Sequence, residues 1–275
     1  MIQERSKNIM LSLGTLFVLG FCLTPFVWMV IISLSKRPDF LIRDISPFTL
    51  ANYIDILSLE NLHFLDYLKN SVVVAGGTAI VSGVIGALAA YAVSRISFPG
   101  KIALIFGVLG LSMFPQICIV GYLYKFMSSL GWINTHSGLI LPYISWSLPL
   151  ALWILMSYFS QIPRELDKAA HIDGATRLQI LFKVILPIAL PGFLSTILLL
   201  FMFSFNEFLF ALMLTTDFRA RTVPVGIALF QGLHGELPWG YIMAASVISS
   251  IPVILIALFF QRHIIQGLTH GAVKE

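Results

Sequence analysis

Charge is excluded from most of this chain and gathered into a few short stretches, and that separation limits its fold more than any motif does. Ile9 to Ile32 contains no Asp, Glu, Lys or Arg. Folded as a helix, a run of that length crosses the ~30 Å hydrocarbon core of a bilayer. Five more apolar runs follow: Ser71–Val93, Ile102–Val120, Ser137–Phe159, Ile188–Thr215 and Trp239–Phe260. Only helices or closed barrels satisfy their backbone groups in lipid, and these runs have helical length. The charged share is 11%, against about 25% in soluble domains. The sequence therefore predicts an all-α integral membrane protein with six transmembrane helices. A cleaved signal peptide is the rival reading of the first run. Its length, and the lack of a clean small-residue cleavage site, favour a retained helix.

The connecting stretches add detail. Ser33 to Lys69 is mixed and polar, and Tyr53, Ile54, Leu57, Leu62, Leu65 and Leu68 suggest a surface helix leading into the second span. Gly76, Gly77, Ser82, Gly83, Gly86, Ala87, Ala89 and Ala90 give that span small faces, suited to close helix approach. Gly121 to Thr135 reads as an interfacial helix, with Tyr122, Tyr124 and Trp132 for the headgroup zone. Pro142 and Pro149 predict bends in the fourth span. Cys22 and Cys118 lie in apolar runs and read as small buried packing residues, with no disulfide framework.

Six spans put both termini on one side. With the termini inside, ten Lys and Arg fall inside and seven outside; five acids inside and eight outside leave +5 against −1. The bias toward positive inner loops makes the termini cytoplasmic.

One polar interruption stands out, Gln161 to Pro191 (QIPRELDKAAHIDGATRLQILFKVILPIALP). Pro163 suits a first helical position. Arg164 to Ile172 contains good helix formers, Asp173-Gly174 is a turn signal, and Leu178, Leu181, Phe182 and Ile185 share one side of a second helix. Two alanines beside a glycine bend make a narrow elbow that fits a cleft on a soluble partner. An ordinary amphipathic cytoplasmic loop accounts for the same residues.

AAHIDGAT followed by ILP is similar to the "EAA" loop of the permeases of binding-protein-dependent ABC importers, and the wider pattern resembles the MalG-like half of the carbohydrate group. NYIDIL, AYAVSRISFPGK, FMFSFNEFLFALMLT and GLTHGAVKE carry the likeness from about Asn52 to the end. The resemblance implies a type I ABC importer permease fold with a cytoplasmic coupling helix. It implies these boundaries: 1–33 an N-terminal span, 34–69 extracytoplasmic, 70–265 the permease domain with a coupling loop at 160–187, and 266–275 a cytoplasmic tail. It assigns Lys168, Ala169, Ala170, Asp173, Gly174, Ala175, Leu186 and Pro187 to ATPase coupling. Lys168 stands where the family often has Glu. Gln231, Gly232, His234 and Gly235 fall in a loop implied to face the sugar-binding protein, and Gly267, Leu268, Thr269 and Gly271 in a tail implied to approach the ATPase. A plain solvated loop and a frayed terminus are the plainer readings of these two.

The implied assembly is a second, MalF-like permease subunit, two ABC ATPase subunits and an extracytoplasmic sugar-binding protein, in a bacterial or archaeal cytoplasmic membrane and without nucleic acid. No G-x-x-x-x-G-K-[ST] loop is present, so ATP and Mg2+ belong on the ATPase subunits and this chain binds no cofactor. No catalytic or metal-ligand spacing emerges, so an enzyme is not expected. Asn206-Glu207 in the fifth run is the best intramembrane polar pair, and either substrate-pathway residues or a packing pair explains it. The expected function is the permease subunit of an ATP-driven importer for a disaccharide or oligosaccharide of the maltose or trehalose type. An ion-coupled secondary transporter is the alternative; it calls for a coupling-ion site among broken helices.

Overall fold

The computed structural model describes residues 2–36, 47–230 and 237–272, with side chains described for 10–36, 47–230 and 237–261. Its helices are α1 (Ile2–Ser33), α2 (Ala51–Ser58), α3 (Phe64–Arg95), α4 (Lys101–Ser112), α5 (Gln116–Ser129), α6 (His136–Gln161) and α7 (Glu165–Ile172). After α8 (Arg177–Ile180) the helix widens into a π-turn at Leu181–Ile185 and continues as α9 (Leu186–Ile188). Then come α10 (Leu190–Phe205), α11 (Leu209–Leu214), α12 (Val223–Ala228) and α13 (Trp239–Ala272). Among the described residues, four helices are long and apolar enough to cross a membrane; two bent pairs bring the number to six if each is one span.

The bends change two expected spans. The run Ile102–Val120 does not form one helix: α4 and α5 meet at 91°. Pro115 explains the break, because it has no N–H for α4 to use and pushes Phe114 out of the helical region. α5 runs on to Ser129 and so takes in the first part of the stretch expected to be a separate interfacial helix. The fifth run is likewise broken: residues 177–188 and α10 meet at 86°, and α10 ends at Phe205, short of Thr215. By contrast, Pro142 and Pro149 lie inside the uninterrupted α6. α13 stays helical to Ala272, past the expected end at Phe260. Cys22 and Cys118 are exposed, which corrects their reading as buried packing residues.

The chain divides into two compact units, residues 1–65 with 227–251, and residues 66–226 with 252–275. In the first, the Asn52 amide donates to the Ser33 and Ser35 carbonyls at 2.8 and 3.0 Å, and Tyr241 donates to Asp55 at 2.9 Å. α1 is almost bare: 6% of its apolar window is buried, against 44% for α3 and for α6. An apolar face with no protein neighbour suits lipid, which solvates it as well as a core does.

In the second unit, α3, α6 and α10 pack closely because α3 presents small residues. A Cβ on Gly83 would collide with Ile197 of α10, and one on Gly86 would lie 2.7 Å from the Ala151 Cβ of α6. Ser82 and Ser147 share a buried hydrogen bond of 2.8 Å between α3 and α6. One apolar cluster joins Ala87, Leu155, Phe159, Ile180, Leu181 and Ile185, and another joins Leu139, Tyr143, Phe210 and Leu214.

Candidate functional site

The elbow is a full helix stop. Asp173 caps α7, Gly174 follows with φ +81°, and Ala175 comes next. The Gly174 N–H donates to the His171 carbonyl at 3.1 Å and the Ala175 N–H to the Ala170 carbonyl at 2.9 Å. This pair of bonds is the Schellman motif, and the left-handed residue within it favours glycine. Ala170 and Ala175 lie at the two positions that make its apolar contact, and both pack half-buried against the cluster under the loop. The alanines therefore face the chain's own core, while Lys168, Ala169, Asp173 and Gly174 are exposed. Ile172 projects from the elbow with 86% of its surface exposed. Leu186 is half-buried and Pro187 exposed.

Beyond the elbow, Thr176 caps α8. Its hydroxyl accepts from the Gln179 N–H at 3.4 Å and its own N–H donates to the Gln179 side chain at 2.8 Å. That capping box was readable in the sequence as T-x-x-Q and was missed. The expected apolar side is split: Leu181 and Ile185 are buried with Ile180, but Leu178 and Phe182 are exposed. The π-turn is the cause, since its wider winding shifts the phase that a 3.6-residue period assumes. The turn also precedes Pro187, which has no N–H to give to the regular ladder.

The elbow is tied to the end of α3. Arg95 Nη2 donates to the Ile162 carbonyl at 2.8 Å, Arg164 Nη2 to the Ser94 carbonyl at 3.3 Å, and Arg95 Nη1 lies 3.6 Å from Asp167 Oδ2. Neither Arg95 nor Asp167 was assigned to a site from the sequence. Their one signal is opposite charge in two separate loops.

The second candidate region lies at the break between α10 and α11. Asn206 is exposed and donates its side-chain amide to the Met202 carbonyl at 2.8 Å, closing the end of α10. Glu207 is buried, and its carboxylate accepts from the Phe210 and Ala211 N–H groups at 2.9 and 3.1 Å. Helix ends in an apolar setting need such partners, and this pair supplies one for each end. Backbone amides thus satisfy the Glu207 carboxylate. Both residues line a cleft of about 660 Å3 with Gln116, Leu150, Leu199 and Phe203. Gln116 begins α5, so two helix breaks meet in one cleft. A neighbouring cleft of about 480 Å3 shares Leu150 and Phe203 and adds Trp146 and Trp153. Gln116 and the two tryptophans were missed as candidates.

Gln231, Gly232, His234 and Gly235 lie outside the described residues. Gly267, Leu268, Thr269 and Gly271 fall on the last turns of α13, where only the backbone is described. No group of His, Cys, Asp and Glu suited to a metal occurs among the described residues.

Residues 5–270 match the family model described as "Binding-protein-dependent transport system inner membrane component". The chain is 54% identical over 276 residues to the trehalose/maltose transport system permease protein MalG of Thermococcus litoralis, covering 100% of this chain and 99% of that one. It is 43% identical over 262 residues to the trehalose transport system permease protein SugB of Mycobacterium tuberculosis, covering 94% of each. Among solved structures, a chain of a bacterial ABC transporter involved in import of the acidic polysaccharide alginate superposes with a TM-score of 0.77 at 20% identity, covering 95% of this chain and 98% of that one.

Proposed function

The chain belongs to the inner membrane components of binding-protein-dependent transport systems, and from that premise we propose that it conducts a disaccharide of the trehalose or maltose type. It is a multi-pass, non-catalytic subunit of an ABC importer, served by a binding protein and by separate ATPase subunits. In this reading its companion in the membrane is a second, MalF-like permease. Its termini and the elbow face the cytoplasm, residues 34–69 face outward, and the loop with Gln231, Gly232, His234 and Gly235 meets the loaded binding protein.

The observation that carries the coupling role is the Schellman stop at Gly174. It fixes two short helices at a set angle and leaves Ile172, Lys168 and Asp173 on the outer surface, while Ala170 and Ala175 grip the core. Force applied to the outer residues reaches α3 through Asp167 and Arg95. ATP then biases two access states without chemistry in this chain. The sugar class is supported by the two relatives whose names state trehalose or maltose. In the membrane, Gln116, Asn206 and Glu207 offer polar groups to hydroxyls, and Trp146 and Trp153 offer aromatic faces to the apolar side of a sugar ring.

Replacing Gly174 by Val tests this. The left-handed conformation costs a side-chain-bearing residue about 1–2 kcal/mol, roughly a tenfold change in the population of the elbow. Uptake of labelled trehalose by the reconstituted complex falls by that order, while docking of the loaded binding protein is unchanged. Full uptake in the variant, or uptake that continues with vanadate and stops with a protonophore, overturns the reading.

A further inference from the structure

A cleft of about 320 Å3 lies between the end of α3 and the elbow, and its charge is one-sided. Arg95, Arg164, Lys168 and Arg177 line it against a single carboxylate, Asp167, with His171 at its edge. Four cations less one anion leave +3 around the cavity. Arg95 is the buried cation of the four; Arg164, Lys168 and Arg177 are exposed, where water and salt screen their repulsion. The arrangement is also incomplete. Arg95 is only 6% exposed, lines the cleft, and its Nε has no hydrogen-bond partner. Asp167 does not complete it: at 3.6 Å the pair is an ion pair without a hydrogen bond, and both carboxylate oxygens are unpartnered too.

A buried arginine with one unused donor lines a cavity in which three more cations face a single carboxylate, so the site is short of oxyanions. We infer that this cleft binds a phosphate-class group, either the headgroup of an anionic phospholipid or a free phosphate. Guanidinium forks match phosphate oxygens, and Lys168 adds a mobile point charge. Basic pockets between membrane helices take lipid headgroups by the same chemistry. Bound there, the anion bridges the α3 turn and both arms of the elbow and stiffens the joint between them. The site is separate from the intramembrane clefts, and its occupancy does not depend on which solute is carried.

The test uses the full chain in neutral detergent with two probes. Inorganic phosphate is titrated by calorimetry, and retention of phosphatidylglycerol against phosphatidylcholine is read by native mass spectrometry. Saturable binding of either is expected, weakened about tenfold or more in Lys168→Gln/Arg177→Gln, which removes two cations and at least one charge-assisted hydrogen bond. Lys168→Arg/Arg177→Lys keeps the charge and restores binding, which separates a lost ligand contact from misfolding. Variant-sensitive binding of phosphate alone identifies a free anion as the ligand. Variant-sensitive retention of phosphatidylglycerol alone identifies a lipid. The inference is overturned if neither probe saturates or if the glutamine variant binds as the wild type does. It is also overturned if the cleft charges alter only the salt sensitivity of ATPase association, which would assign them to acidic side chains of a protein partner.

Discussion

The elbow and the loop at Thr215–Thr222 are held to the same helix, α3, by different kinds of force. At the elbow the contact is mainly apolar: Ala170, Ala175, Val184 and Leu186 rest on the cluster that includes Phe159 and Leu181. The polar ties are two arginine–carbonyl bonds and an ion pair that is too long for a hydrogen bond. At the 215–222 loop the ties are directional. The Asn70 amide donates to the carbonyls of Phe218 and Arg221 at 2.8 and 3.0 Å. Its oxygen is left to accept from His136 Nε2 at 2.8 Å, so that nitrogen carries the proton. Ser71 accepts from the Val223 N–H at 2.7 Å, and Asn134 accepts from the N–H groups of Thr216 and Asp217. Apolar contact is non-directional and tolerates sliding, whereas hydrogen bonds weaken steeply with angle. The loop is therefore held closely to α3 and α6, and the elbow is held to α3 with more give, through the ties of Arg95 and Arg164.

The largest effect is expected where the elbow's single ionic tie is cut. Arg95→Ala removes the guanidinium paired with Asp167 and the donor to the Ile162 carbonyl. Breaking a buried pair on one side costs about 3 kcal/mol, with Arg164, Lys168 and Arg177 still around the carboxylate. Asp167 is 14% exposed, which keeps the loss from being larger. Thermal unfolding in detergent measures the loss. Arg95→Ala/Asp167→Ala recovers part of it, because the two residues act on one term. If the double variant falls by the sum of the singles, the ion pair does not hold the elbow and the contrast with the loop is lost.

Asn70→Ala strikes the other side of the comparison. It strips two carbonyls and one imidazole of their partner, and an unsatisfied buried group costs about 1–3 kcal/mol. A loss of about 2 kcal/mol is expected, with faster hydrogen exchange confined to residues 216–223. Exchange that spreads to the elbow would show the two regions to be one mechanical unit.

How much of this could be read from the sequence depends on how local each device is. The elbow was legible because a helix stop is written in consecutive residues, Ala170 to Ala175, and its glycine sits where the backbone needs a positive φ. The capping box at Thr176 was equally local and simply unread. The apolar face of 177–188 was misread because a π-turn carries no signature in side-chain type. The Arg95–Asp167 tie and the meeting of Gln116 with Asn206 were out of reach, since each joins segments far apart in the chain. Glu207 is the instructive middle case. A carboxylate in an apolar run was singled out, but it sits in the break between α10 and α11, and its partners are the N–H groups at the start of α11.

The smallest effect concerns the rim of the directional loop, where an ion pair faces water on its Arg219 side. The Arg219 guanidinium grips the Asp217 carboxylate at 2.7 Å, and this bond, with those from the Asn134 amide and the Arg219 N–H, holds the carboxyl well below the usual carboxylate range. The sign follows from the direction. A depressed folded-state value means the contribution is complete above the unfolded value of about 3.9 and fades only as pH falls through the folded one. Loop exchange, corrected for intrinsic rates, is therefore flat from neutral pH to about pH 4 and rises below it. Asp217→Asn keeps an acceptor for the Asn134 amide and the Arg219 N–H but loses the charge. It raises exchange at 216–221 modestly at neutral pH, removes the acid-dependent rise, and leaves the unfolding temperature unmoved, as a solvent-exposed pair should. An acid-dependent rise of equal size in the variant would move the loop's hold away from Asp217 and leave Asn70, Ser71 and Asn134 as its whole support.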